Sequence, residues 1–190
     1  MPSSHLFQLN EIMQLIFFSK PNSLLDVGVG FGKYGVLSRE YLELWDGRDK
    51  YGEWTKRIDG IEIFEKYLTP LHDYVYDHIY IGNALDILPT LDFRYDLILL
   101  IDVLEHFSYH EGVKLLNICL QKGRSFLVST PKDVSSQEDA FGNPYETHRS
   151  QWQPKHFEVF DKYVFIPNIK SYIYLIGEDA SKFTGATVRR

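Results

Sequence analysis

Three glycines at alternate positions follow the first strongly apolar run of the chain. Gly28, Gly30 and Gly32 come directly after the end of this run at Val27, and a helical pattern begins behind them. Glycine permits tight turns and lets a ligand lie close to the backbone, and the first N–H groups of a helix attract negative charge. The spacing predicts a loop that binds a ligand carrying a carboxylate or a phosphate.

A second glycine pattern overlaps the first. Gly30, Gly32 and Gly35 match G-x-G-x-x-G, the fingerprint of dinucleotide-binding loops. Asp26 helps to separate the two interpretations, because a carboxylate at the strand end would repel a pyrophosphate and attract an ammonium or a sulfonium. The acid favours S-adenosylmethionine as the cofactor. A nucleotide-binding oxidoreductase stays open as the alternative.

Two further positions complete a candidate cofactor site. Glu62 ends the second predicted strand, where an acid can accept hydrogen bonds from both ribose hydroxyls; Asp59 is the rival acid but lies deeper in the strand. Ile63 would pack on the adenine. Asn83 and the backbone of Ala84 follow the third predicted strand and would face the adenine edge, although Asn83 is equally suited to cap a helix.

Strand-like and helical stretches alternate along the chain, which predicts a parallel sheet with helices on both faces. Near the C-terminus, Tyr163–Ile166 and Tyr172–Ile176 are separated by a connection that permits only an antiparallel pair. We therefore expect an α/β, Rossmann-like doubly wound sheet of about seven strands, mostly parallel with an antiparallel C-terminal hairpin. The remaining expected strands are Ser23–Val27, Arg57–Phe64, His78–Ile81, Tyr95–Ile101 and Ser125–Thr130, with helices over 4–18, 33–45 and 65–76 and another marked by Val113, Leu116 and Leu120.

Composition narrows the class of protein. The net charge is −6 and no dense Lys/Arg cluster occurs, which argues against a nucleic-acid partner. No apolar stretch approaches the roughly 20 residues that a membrane span needs, and the single cysteine, Cys119, excludes an internal disulfide. Without a secretory pattern, a cytoplasmic location is the expectation.

Two longer stretches carry a family resemblance. Leu25–Gly32 (LDVGVGFG) and Tyr95–His106 (YDLILLIDVLEH), with Ser129–Pro131 at the end of the fifth strand, resemble class I S-adenosylmethionine-dependent methyltransferases of the small-molecule branch. The reversed last strand is also typical of that fold. The resemblance implies a single methyltransferase domain over residues 1–190. Two stretches do not fit a minimal βαβ unit, and we interpret them as an inserted loop near 45–56 and a lid-like loop near 132–153.

The resemblance also assigns roles. The glycine loop would contact the cofactor through its backbone, Asp26 would orient the loop or the amino group, and Asp102 and Val103 would lie beside the methionine moiety and the transferred methyl. The full expected cofactor-binding set is Asp26, Gly28, Gly30, Glu62, Ile63, Asn83, Ala84, Asp102 and Val103.

The acceptor side is expected on the lid-like loop. His148 is the predicted catalytic base, with His106 and Glu146 as other candidates, and the reaction would methylate an O or N atom of an unidentified small-molecule acceptor. No metal is expected, although Asp102, Glu105 and His106 on one turn could bind a divalent cation. A catalytically silent cofactor-binding protein is the third hypothesis, and the oligomeric state stays open.

Overall fold

The computed structural model describes residues 3–45, 51–133, 139–183 and 187–189. One mixed sheet runs through the molecule in the order β3-β2-β1-β4-β5-β7-β6-β8. Its strands are β1 (Ser23–Val27), β2 (Arg57–Glu62), β3 (His78–Ile81), β4 (Tyr95–Ile101), β5 (Gly123–Pro131), β6 (Tyr163–Ile166), β7 (Ser171–Gly177) and β8 (Thr187–Arg189).

The first five strands are parallel, and their central members are buried on both faces. All five residues of β1 are buried, and β4 is buried at every position except Asp96. Such continuous apolar runs are typical of parallel strands that helices cover on both sides. The α/β, doubly wound fold expected from the alternation is confirmed.

The C-terminal part of the sheet is antiparallel. Strand β7 pairs with β5 on one side and with β6 on the other, antiparallel in both cases. The expected hairpin is therefore confirmed, and β7 is inserted between β5 and β6. Over the described residues the sheet has eight strands rather than about seven, because β8 adds an antiparallel edge strand beside β6.

In the described part of the chain five α-helices flank the sheet: α1 (Leu9–Ser19), α2 (Lys33–Arg39), α3 (Pro70–Val75), α4 (Ala84–Thr90) and α5 (Tyr109–Lys122). Several expected helices change type along their length. Residues 6–8 form a 3₁₀ turn before α1, and α2 continues into the π-helical turn Glu40–Leu44. No helix among the described residues is long and apolar enough to cross a membrane.

The expected helix over 65–76 is divided at Pro70. A 3₁₀ turn ends at Tyr67, and α3 starts anew at Pro70 behind the capping residue Thr69. Proline suits the first position of a helix but interrupts its interior, because it has no N–H to donate. Helix α4 was not expected from periodicity.

The two long loops are only partly described. Of the expected inserted loop, residues 46–50 lie outside the described part of the chain, and so do residues 134–138 of the lid-like loop. The rest of the lid-like loop is anchored by Trp152, which has no exposed surface. Its indole N–H donates to the carbonyl of Leu104 at 3.2 Å.

Trp152 packs against α5 at a glycine. A Cβ at Gly112 would lie only 2.3 Å from Cζ2 of the indole. This close approach explains why a residue with low helix propensity occurs inside an α-helix.

We predict that Gly112→Ala destabilises the protein. Alanine is the better helix former, but the added methyl overlaps the indole, and overpacking a core costs about 1–3 kcal/mol. Chemical denaturation measures the effect, with Asn117→Ala on the exposed face of α5 as the control. Gain of stability in Gly112→Ala would show that the indole can move away at little cost.

Candidate functional site

The loops that follow the parallel strands meet around one cavity of about 200 Å³ at the carboxyl edge of the sheet. This is where ligands bind in open α/β sheets. The cavity brings together most of the residues that the sequence singled out. Its walls include Gly28, Gly30, Lys33, Glu62, Ile63, Tyr67, Asn83, Ala84, Asp102, Val103, His106, Glu111, Tyr145, Glu146 and Arg149.

The glycine loop after β1 has the backbone that its sequence predicts. Gly28, Gly30 and Gly32 have φ angles of 75°, 51° and 86°, in the left-handed region that favours glycine. A Cβ at Gly28 would also lie 3.0 Å from the side chain of Val103. Gly35 serves packing instead, since a Cβ there would lie 2.4 Å from the ring of Tyr76.

Glu62 connects the glycine loop to the end of β2. Its carboxylate accepts the backbone N–H of Gly30 at 2.9 Å through Oε2 and that of Phe64 at 2.8 Å through Oε1. Burial raises the pKa of Glu62, although these backbone hydrogen bonds oppose the effect and Glu146 adds to it. Because a carboxylate has about four lone-pair sites, it retains acceptor capacity for hydroxyl groups in the cavity.

Asp26 lies beneath the loop, outside the cavity wall. Its Oδ2 accepts the hydroxyl proton of Tyr76 at 2.7 Å, and the residue is 3% exposed. Burial raises the pKa of Asp26 to about 7, the hydrogen bond from Tyr76 opposes this and Glu62 adds to it. In this structure Asp26 supports the loop through its bond to Tyr76, directly after α3, and does not face a ligand directly.

The residues after β2 and β3 form one end of the cavity, where the sequence analysis expected the adenine. Ile63, Asn83 and Ala84 all line it. The side chain of Asn83 also caps α4 by accepting the N–H of Leu85 at 2.9 Å. Asn83 therefore combines the two roles that the sequence left open, a helix cap and a position on the cavity wall.

Asp102 follows β4 in a left-handed backbone conformation, with φ of 54°. Its Oδ2 accepts a hydrogen bond from Gln8 at 2.6 Å, and Gln8 in turn accepts one from Ser129 at 2.5 Å. The other oxygen, Oδ1, is buried without a hydrogen-bond partner. Burial raises the pKa of Asp102 to about 6.

Sequence reasoning missed the N-terminal segment of this site. Gln8 has no exposed surface, and Lys33 donates to the carbonyl of Ser4 at 2.6 Å, which brings Ser4 onto the cavity wall. Gln8 lies within the helix expected over 4–18, whose periodicity rests on apolar residues and gave no signal that this amide is buried. Lys33 did carry a signal, because a cation in the first turn of a helix is unfavourable unless another group requires it.

The lid-like loop closes one side of the cavity. Tyr67 donates to Oε1 of Glu146 at 3.0 Å, which joins the lid to the segment after β2. The backbone N–H of Arg149 donates to the carbonyl of Glu105 at 2.7 Å. The lid therefore contacts both the β2 side and the β4 side of the cavity.

The two candidate imidazoles lie together. The rings of His106 and His148 are 5.2 Å apart, and His106 lines the cavity whereas His148 stands beside it on the lid. Burial lowers the pKa of His106, and the neighbouring His148 contributes to the decrease. The sequence analysis expected His148 to be the catalytic base on the acceptor side. In the structure His106, rather than His148, is the histidine that lines the cavity.

The side chains that are close enough to share a metal ion are not the three on one turn that the sequence analysis considered. Ligand atoms of Glu105, His106 and His148 lie within 4.8 Å of one another, while the carboxylate of Asp102 is engaged by Gln8. Tetrahedral coordination of zinc at about 2.1 Å would need these atoms to approach to about 3.4 Å.

The charged side chains of the cavity wall indicate which kind of ligand the cavity can bind. Its described wall carries four carboxylates, those of Glu62, Asp102, Glu111 and Glu146, against the two cationic side chains of Lys33 and Arg149. An acidic wall favours a ligand with positive groups and disfavours a pyrophosphate.

Comparison with known proteins gives matches of structure only. No protein-family model and no curated protein sequence matches the chain. A SAM-dependent methyltransferase from Archaeoglobus fulgidus is 18% identical, with a TM-score of 0.59 over 83% of this chain and 66% of its own. The N-terminal domain of EvdMO1, solved with SAH bound, is 13% identical, with a TM-score of 0.60 over 90% of this chain and 79% of its own.

Methylases of rRNA are also among the matched structures. An rRNA methylase from Escherichia coli is 17% identical, with a TM-score of 0.56 over 90% of this chain and 63% of its own. The chain spans 40–66% of the length of four of the matched structures. Together these likenesses show that the chain has the class I methyltransferase fold.

We predict that Asp26 makes stability fall as pH rises from about 4 to about 7. Its pKa is higher in the folded protein than in the unfolded chain, so folding takes up a proton in this window, and stability present at low pH is lost. Asp26→Asn keeps an acceptor for Tyr76 and removes this titration. The advantage of the variant over the wild type should therefore grow with pH up to about 7.

Urea denaturation across this pH range measures the difference. Asp161→Asn, which changes an exposed acid, is the control. Parallel stability curves for the wild type and Asp26→Asn would contradict the prediction.

Proposed function

We propose that the protein transfers a methyl group from S-adenosylmethionine to an O or N atom of a small-molecule acceptor. The observation that carries the proposal is the acidic cavity at the carboxyl edge of a class I methyltransferase sheet, formed by the glycine loop, Glu62 and Asp102. The cofactor has a sulfonium and an ammonium, which suit acidic walls, whereas a dinucleotide brings a pyrophosphate, which does not.

The residues present fit this cofactor. Gly28 and Gly30 line the cavity with left-handed backbone, and Asp102, also on the wall, has a buried Oδ1 without a hydrogen-bond partner that would accept from the ammonium. Glu62 has acceptor capacity for the ribose, and Lys33 is a cation for the carboxylate end. When bound, the cofactor supplies an activated methyl group with a good leaving group, so the protein mainly has to align the acceptor with it.

On the acceptor side we assign the base to His106. Its lowered pKa keeps the imidazole neutral near pH 7, the form that can accept a proton. His148 contacts His106 from the lid and would act as a positioning residue. The net charge of −6 and the lid over the cavity favour a compact acceptor over a nucleic acid.

We predict that S-adenosylhomocysteine raises the melting temperature and that NAD does not, since only a ligand of the folded state stabilises it. Glu62→Gln should weaken S-adenosylhomocysteine binding about 10- to 100-fold, the effect of losing a hydrogen bond to a charged group. Thermal shift and titration calorimetry test the two statements. Glu65→Gln, an exposed neighbour, is the control. Stabilisation by NAD alone would establish the oxidoreductase alternative instead.

We predict that His106→Ala lowers turnover by about 10²–10⁴ and leaves the dissociation constant of S-adenosylhomocysteine nearly unchanged. His148→Ala should lower turnover less and shift the acidic limb of the rate profile to higher pH, because His148 lowers the pKa of His106. Both are measured with an acceptor found by screening small molecules and RNA.

The same assay tests the expectation that no metal is required. Chelator should leave turnover of the wild type intact, because the three side chains of Glu105, His106 and His148 are a thin coordination set for a resident cation. Loss of activity with chelator, restored by a divalent cation, would make these histidines ligands.

For the His148→Ala variant, a pH profile of turnover identical to that of the wild type would remove the positioning role of His148.

A further inference from the structure

The lid carries a carboxylate into the half of the cavity that the ribose acid occupies. Glu146 ends the 3₁₀ turn Pro144–Glu146, is only 6% exposed, and lines the same cavity as Glu62. The sequence placed this loop over the acceptor and considered Glu146 only as a base. Its position beside the β2 side of the site indicates a different role.

Two contacts hold Glu146 in place. The hydroxyl of Tyr67, in the turn directly after β2, donates to its Oε1 at 3.0 Å. On the lid itself, Asn143 is buried and caps the turn by accepting the N–H of Tyr145 at 2.9 Å. The turn that carries Glu146 is therefore fixed by its own loop, and the carboxylate is held by the segment that follows Glu62.

Glu146 and Glu62 act on each other electrostatically. Glu146 contributes to the raised pKa of Glu62 and opposes the lowering of the pKa of His106. It is therefore close enough to both Glu62 and His106, which line the same cavity, to influence each of them. Two buried carboxylates that face one space repel each other, and the arrangement is stabilised by a ligand that donates hydrogen bonds to both.

We propose that Glu146 is a cofactor-binding residue supplied by the lid, and that it accepts a hydrogen bond from the ribose diol opposite Glu62. The proposal rests on the proposed function, because it needs an adenosyl cofactor in the cavity. A vicinal diol has two donors, one for each carboxylate. The lid would then close on the cofactor, with Tyr67 as the positioning residue of the contact.

The test is a thermodynamic cycle in which one change removes the carboxylate of Glu146 and the other removes the ribose hydroxyls of the ligand. S-adenosylhomocysteine and its 2′,3′-dideoxy analogue are titrated calorimetrically into the wild type and into Glu146→Gln. We expect Glu146→Gln to weaken S-adenosylhomocysteine about 10- to 100-fold and the dideoxy analogue less than threefold. Such coupling isolates the contact between the carboxylate and the diol.

Two further variants complete the design. Tyr67→Phe should weaken S-adenosylhomocysteine binding several-fold in the wild type and have almost no additional effect in Glu146→Gln, because the phenol ring stays in place and the lost hydroxyl is the one that donates to Glu146. Glu65→Gln, an exposed acid in the same turn as Tyr67, is the matched control and should bind both ligands like the wild type.

The outcomes separate the two proposals. Equal weakening of both ligands by Glu146→Gln, or no weakening of either, would overturn the ribose contact while leaving the proposed function standing. Failure of the wild type to bind S-adenosylhomocysteine would refute the proposed function itself, and the lid contact with it. Additive effects of Tyr67→Phe and Glu146→Gln would exclude Tyr67 as the positioning residue.

Discussion

The bond from the backbone N–H of Gly30 to the carboxylate of Glu62 is the contact on which the site depends. It joins the loop after β1 to the end of β2 at 2.9 Å. A glycine loop with three left-handed residues would otherwise have many accessible conformations. Hydrogen bonds to a buried carboxylate are stronger than those between neutral groups, so this one restrains the loop. The same carboxylate also lines the cavity, so the structural role of Glu62 and the binding role proposed for it depend on the same group.

The acceptor side depends on a second connection, between the lid and β4. Trp152 is buried against Gly112 and donates to the carbonyl of Leu104, and the next carbonyl, of Glu105, accepts from the lid backbone. These bonds place a long loop against the residues that follow the central strand. Because such loops are commonly mobile unless tied down, the buried indole explains how His148 comes to lie beside His106.

The fold was predictable because its signals are local. Buried runs such as Tyr95–Ile101 and the short connection after Ile166 determined strand type and direction without reference to the rest of the chain. The pairing of Gln8 with Asp102 was not predictable, since these residues are distant in sequence and helical periodicity indicates only which face is apolar. The division at Pro70 was visible in the sequence, but the continuous helix expected over 65–76 ignored it.

Several carboxylates at the site are buried, and keeping them ionised lowers the free energy of unfolding. Burial raises the pKa values of Asp26, Glu62, Asp102 and Glu105, so each ionised carboxylate is less favourable in the folded protein than in water. Glu62 and Asp102 line the cavity, while Asp26 lies beneath the glycine loop and Glu105 is buried next to the wall residue His106. Four such groups in one region are difficult to explain by stability alone. A ligand that brings positive charge and hydroxyl donors relieves part of this cost on binding, and by linkage it stabilises the fold to the same extent. An acidic cavity of this kind would therefore couple recognition of the cationic adenosyl ligand proposed above to the stability of the loops that enclose it.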